Sequence, residues 1–180
     1  MMGKYIKVSE SQVRITQPML PSNSNFNGKI HRGYVLNLMD KIAFASKYCG
    51  QYCVTASVNK VDFENPIEFD ELVTWKASVN FTGRTSIVIG LRVDSENIRT
   101  EETKHCNSSY FTMVAKVSDG KRTPVPGNIL TSKAEIRRFA RSIVRQEVGK
   151  NRTSRFDKNT FIAEDYLPIF EGSNSKVELE

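Results

Sequence analysis

The chain lacks any long apolar run. Its purely apolar stretches extend over a few residues, whereas a membrane-spanning helix needs about twenty, so no span is expected. Residues 1–11 hold no apolar signal core, which argues against secretion, and Met2 in second place does not suit N-myristoylation. Cysteine is scarce and unpaired in pattern. Cys49, Cys53 and Cys106 form an odd set with no CxxC spacing, so no metal site is expected. They read as free thiols in a reducing, cytoplasmic setting. Neither Cys49 nor Cys53 has a neighbour in sequence that would activate it as a nucleophile.

The 180 residues are 39% hydrophobic, enough for one domain with a real core plus a tail. The net charge of +6 could suit nucleic acid, a membrane surface or a phosphorylated ligand, and its location decides. Lys133, Arg137, Arg138, Arg141, Arg145 and Lys150 face only Glu135 and Glu147 in one stretch. Ile136, Phe139, Ala140, Ile143 and Val144 recur there at helical spacing, behind the capping signature Ser132-Lys133-Ala134-Glu135. The apolar stripe argues for packing and against a nucleic-acid helix. Residues 1–130 are therefore expected to form the main domain, 131–150 a basic amphipathic helix and 151–180 a loosely ordered tail.

Between Gly33 and Cys49 there is no proline or internal glycine, and Gly50 offers a stop. This predicts one long helix. Val35, Leu36, Met39, Ile42, Ala43 and Ser46 fall on one side of it. Asp40 sits at the margin of that stripe, about 40° beyond Leu36, with Phe44 beyond it. A carboxylate between apolar neighbours is costly unless it has a task.

The texture then changes to period two. In 52–63, Val54, Ala56 and Val58 share one face, and Thr55, Ser57 and Asn59 the other. In 72–81 the apolar face is Val73, Trp75, Ala77, Val79 and Phe81. In 86–94 it is Ile87, Ile89, Leu91 and Val93, and in 105–117 Phe111, Met113, Ala115 and Val117. Val13 to Thr16 is a weaker strand. One long helix followed by a long antiparallel meander predicts an α+β fold, a curved sheet packed on a central helix. No helical pattern separates the strands, which excludes a doubly wound fold.

Ordered motifs now carry a resemblance. Asn25, Gly28, His31-Arg32-Gly33 and Leu38-Met39-Asp40 are followed by Val54-Thr55-Ala56-Ser57-Val58 and Val61-Asp62-Phe63 with Pro66. Gly83-Arg84-Thr85-Ser86, Tyr110 to Ala115 and Pro124-Val125-Pro126 complete the set. Over roughly residues 17–127 the chain resembles the hotdog-fold acyl-CoA thioesterases of the acyl-CoA hydrolase type. One departure is Arg32, which stands where that family usually has the first of two glycines.

The resemblance implies a helix wrapped by an antiparallel sheet, in homodimers that assemble further, often to hexamers, with active sites between subunits. It implies that Asp40 and the partner's Asn25 flank the thioester. Asp40 is expected to activate a water or to attack directly. Backbone amides near Arg32 and Gly33 are expected to hold the thioester oxygen, with His31 and Thr55 bordering the acyl site. Gly83, Arg84, Thr85 and Ser86 are expected to bind the coenzyme A phosphates. Coenzyme A is then part of the substrate, and no separate cofactor is expected. A non-catalytic acyl-CoA-binding protein is the competing expectation, favoured by the bulk of Arg32.

Overall fold

The computed structural model describes residues 4–45 and 52–154, together with Ile162 and Pro168. Backbone packing divides the chain into Met1–Ser142 and Ile143–Glu180, and the sheet, the central helix and the site below lie in the first unit. In order, β1 (Tyr5–Lys7) leads through a short 3-10 turn to β2 (Val13–Pro18) and the central helix α1 (Arg32–Ala45). Then come β3 (Tyr52–Val58), β4 (Asp62–Phe63), β5 (Glu71–Thr82), β6 (Ser86–Asn97), β7 (Thr103–Lys116), β8 (Gly127–Ile129) and α2 (Lys133–Ser154). No helix among the described residues is long and apolar enough to cross a membrane.

Six strands form one antiparallel sheet in the order β2-β5-β6-β7-β3, with β4 also paired to β7. β1 and β8 make a separate parallel pair. The alternation in β5, β6 and β7 places Val73, Trp75, Ala77, Val79, Ile87, Ile89, Leu91, Val93, Phe111, Met113 and Ala115 in the core. From α1, Val35, Met39, Ile42 and Ala43 meet them. Met39 is fully buried, a side chain worth about 2 kcal/mol of transfer energy. The expected positions Phe44, Ser46 and Cys49 contribute no described side chain.

The observed strands depart from the expected ones in three places. The stretch 52–63 breaks at Asn59–Val61 into β3 and β4. Thr55 pairs with Met113 and Cys53 with Ala115, so Cys53 and Thr55 point toward the helix side. The more apolar face, that of Val54, is therefore not the core side there. In β5 a bulge between Val79 and Phe81 turns Phe81 off the core face. Its ring instead lies against Phe139 of α2, 5.1 Å between centroids. Next to this bulge, buried Asn80 lies over Gly90, where a Cβ would come within 2.2 Å of its amide. Only glycine fits.

α2 starts on a capping box: the Glu135 amide donates to Ser132 Oγ, and the Ser132 amide donates to the Glu135 carboxylate. Those bonds hold the Glu135 carboxyl below its ordinary range, the Thr131 amide contributing most. The helix passes residue 150 and ends at Ser154.

Candidate active site

Asn25 sits in the turn that feeds α1. Its side-chain Oδ1 accepts the amides of Asn27 at 3.0 Å and Lys29 at 3.1 Å, an Asx turn. Gly28 completes it with φ of +70°, a conformation that favours glycine. Two N–H donors on one side of the amide fix its orientation: oxygen inward, nitrogen outward. Asn25 thus presents an NH₂ donor to the outside.

The start of α1 follows. His31 Nδ1 accepts the Gly33 amide at 3.0 Å, so the imidazole caps the helix. A Cβ on Gly33 would fall 2.9 Å from the His31 ring, so the ring and the glycine fit only together. The expected oxyanion donor at Gly33 therefore already has an acceptor, whereas the Arg32 amide has none among the described residues. The Arg32 guanidinium lies over the Phe63 ring, 5.1 Å from its centroid. It forms a wall instead of reaching outward. Asn25, His31, Arg32, Val35, Phe63 and Asn65 line a cavity of about 300 Å³. The part of Phe63 had a signal in sequence, the Val61-Asp62-Phe63 motif, whose role was left unassigned.

Asp40 lies elsewhere. Thr55 Oγ1 donates to Asp40 Oδ1 at 2.5 Å. Asp40, Lys41, Cys53, Val54, Thr55 and Met113 line a second cavity of about 400 Å³. From Arg32 to Asp40 the helix advances about 12 Å at 1.5 Å per residue. Within one chain Asn25 and Asp40 are therefore in different cavities. Asp40 is exposed at the open edge of the sheet, since β3 pairs only with β7 among the described strands.

The Gly83–Ser86 turn joins β5 to β6. The Gly83 amide donates to the Ser86 carbonyl at 2.8 Å. The Ala115 and Val125 amides donate to the Thr85 and Arg84 carbonyls, each at 3.0 Å. The backbone is held, while the Arg84 side chain is exposed. Ala115 also pairs with Cys53, so this turn and β3 flank β7 on either side. The turn is brought near the Asp40 cavity but does not line it.

Neither described thiol is set up as a nucleophile, and Cys49 lies outside the described residues. Cys106 is free and buried, and burial pushes its thiol up to about 11. Cys53 is disulfide-bonded, contrary to the expectation of free thiols. No cluster of three or more metal-binding side chains occurs among the described residues.

Residues 27–102 match the thioesterase superfamily. Protein VdlD of Helicobacter pylori is 44% identical over 132 residues, 72% of this chain and 75% of that protein. Among solved structures, an apo-hexameric acyl-CoA thioesterase superposes with a TM-score of 0.80 at 34% identity, covering 83% of this chain and 97% of the other. An acyl-CoA hydrolase from Staphylococcus aureus, in complex with butyryl coenzyme A, coenzyme A and coenzyme A disulfide, gives a TM-score of 0.77 at 26% identity. It covers 84% of this chain and 93% of its own. The family match spans α1 and strands β3 to β6.

Proposed function

The chain belongs to the thioesterase superfamily, and on that premise we propose that it hydrolyses acyl-CoA with Asp40 of one protomer and Asn25 of a second copy acting on the same thioester. It is an acyl-CoA hydrolase by its likeness to the hexameric acyl-CoA thioesterase and the Staphylococcus aureus enzyme. The assignment of residues rests on one observation: the Asp40–Thr55 pair and the Asn25 amide occupy separate cavities, and Arg32 of the first and Asp40 of the second are about 12 Å apart along α1.

A second copy brings them together. A two-fold axis beside α1 runs two copies of the helix antiparallel, so the middle of one meets the entry loop of the other. The free edge of β3, where Tyr52 and Val58 are exposed, supplies unpaired backbone groups for the same contact. The hexameric state of the similar thioesterase supports such self-association.

The chemistry follows from the groups. Thr55 holds one oxygen of Asp40, which leaves the other to take a proton from water. The water attacks the thioester carbonyl and the thiolate of coenzyme A leaves, taking up a proton. The Asn25 NH₂ donates to the carbonyl oxygen or to the water as charge develops, aided by the positive end of α1 and the Arg32 amide. Arg84, exposed on its turn, meets the phosphates of the coenzyme. Release of free thiol from acyl-CoA, lost in Asp40→Asn, tests the assignment. Wild-type turnover by that variant would remove it.

A binding-only reading is favoured by one contact, the Gly33 amide already taken by His31. Tight acyl-CoA binding without thiol release would establish that reading instead.

A further inference from the structure

The face of the sheet turned away from α1 carries a second arrangement of groups. The bulge between β6 and β7 pairs Val93 with Asn107 and Asp94 with His105, so Cys106 is the extra residue. Because of it, His105 and Ser108, three apart in sequence, fall on the same outer face. His105 Nδ1 lies 3.0 Å from Asp94 Oδ1, and Ser108 Oγ lies 3.1 Å from His105 Nε2.

The hydrogen bonds define the tautomer. An ionised Asp94 can only accept, so Nδ1 carries the hydrogen. In the neutral imidazole Nε2 then holds a lone pair and accepts the Ser108 hydroxyl. Asp94 is ionised at any working pH. Burial alone would push its carboxyl up, but bonds from Arg92, Lys76 and His105 outweigh that and hold it down to about 2. Nucleophile, base and orienting carboxylate are thus in the geometry of activated hydroxyls. The Glu64 carboxylate stands 3.6 Å from the same Nε2.

Cations lead away from the serine in one row. Ser108 pairs with Arg92, Arg92 with Lys76 and Lys76 with Arg14. Directly opposed residues are about 5 Å apart. All three cations are exposed; Asp94 bonds Arg92 and Lys76 and Glu64 also acts on Arg92, while no ion pair to Arg14 occurs among the described residues. Three like charges across neighbouring strands are unfavourable by themselves, and a phosphate-bearing ligand along the row would relieve them.

We propose that Ser108, with His105 and Asp94, is an acyl-accepting centre distinct from the Asp40–Asn25 site, taking acyl groups from donors whose leaving group carries phosphates. With a coenzyme A thioester, the Ser108 Oγ–carbon bond forms and the carbon–sulfur bond breaks. His105 Nε2 takes the hydroxyl proton and passes it to the departing thiolate. The products are an ester on Ser108 and free coenzyme A thiol.

The test uses the full chain with two probes, an alkyl fluorophosphonate and acetyl-CoA, with adducts mapped by peptide mass spectrometry. Acetyl-CoA is applied to Asp40→Ala, so that the donor is not consumed by hydrolysis. Both probes are expected to modify Ser108, and His105→Gln should slow modification about tenfold or more. Asp40→Ala should leave phosphonate labelling unchanged while thiol release falls, which separates this centre from the thioesterase reading. Arg92→Gln should slow modification by acetyl-CoA more than by the phosphonate. An unmodified Ser108 in the wild-type chain overturns the proposal without recourse to any variant. Undiminished labelling in His105→Gln, or loss of labelling in Asp40→Ala, also overturns it. Labelling by the phosphonate alone overturns the choice of donor.

Discussion

The two cavities along α1 differ in what they hold. The one at the helix start has neutral and cationic donors: the Asn25 NH₂, the Arg32 amide, His31 and the guanidinium stacked on Phe63. The one at mid-helix has the carboxylate, oriented by a threonine from an edge strand. One can stabilise a developing negative charge and the other can generate a nucleophile. Arg32 of the first and Asp40 of the second are about 12 Å apart along α1 in one chain. On the proposed reading, a second copy brings the two together.

The comparison breaks most readily at Asp40. Asp40→Asn keeps size and a hydrogen bond to Thr55 but removes the base. Turnover should fall about a thousandfold or more, with KM little altered, in a thiol-release assay. A loss confined to KM would make Asp40 a binding group. Asn25→Ala comes next, because it deletes a donor aimed at the reacting oxygen. About a hundredfold loss in kcat is expected. The same change also releases the Asx turn, so thermal unfolding measured alongside separates a lost donor from a loosened loop.

Thr55→Val sharpens the mid-helix side. The loss of one charge-assisted bond should lower kcat about tenfold, roughly 1.4 kcal/mol. Wild-type rates in that variant would show that Asp40 needs no orientation. The smallest effect is expected at Arg84. Arg84→Ala should raise KM for acyl-CoA several-fold at low salt, the difference shrinking as salt screens the phosphates, with kcat unchanged. A drop in kcat alone would move Arg84 out of the entrance.

Much of the fold was legible because each long strand buries one apolar face and α1 buries one stripe. Val73, Trp75, Ile87, Ile89, Phe111 and Met113 announce the sheet, and Met39 and Ile42 the helix, by period alone. Asp40 was legible as a charge out of pattern. Thr55 was expected on the face opposite Val54, and it shares that face with buried Cys53. At an edge strand beside a carboxylate a polar side chain is wanted inward, and small Val54 and Ala56 can turn out at little cost. Phe81, and the approach of His105 to Ser108, were hidden by bulges, each of which adds one residue and reverses the parity on which alternation depends. The capping of Gly33 by His31 was hidden too, because a ring bonding two residues ahead leaves no periodic trace. The disulfide at Cys53 has no sequence signal in an odd set of three.

Subunit complementation tests the central claim most directly. Asp40→Ala and Asn25→Ala chains, each inactive alone, are mixed under dissociating conditions, reassembled and assayed for thiol release. If the thioester lies between Asp40 of one protomer and Asn25 of another, random pairing should restore about one quarter of wild-type activity: half the dimers are mixed, each with one intact site. Activity no greater than that of the two parents, in a mixture shown to have exchanged subunits, would contradict a shared site.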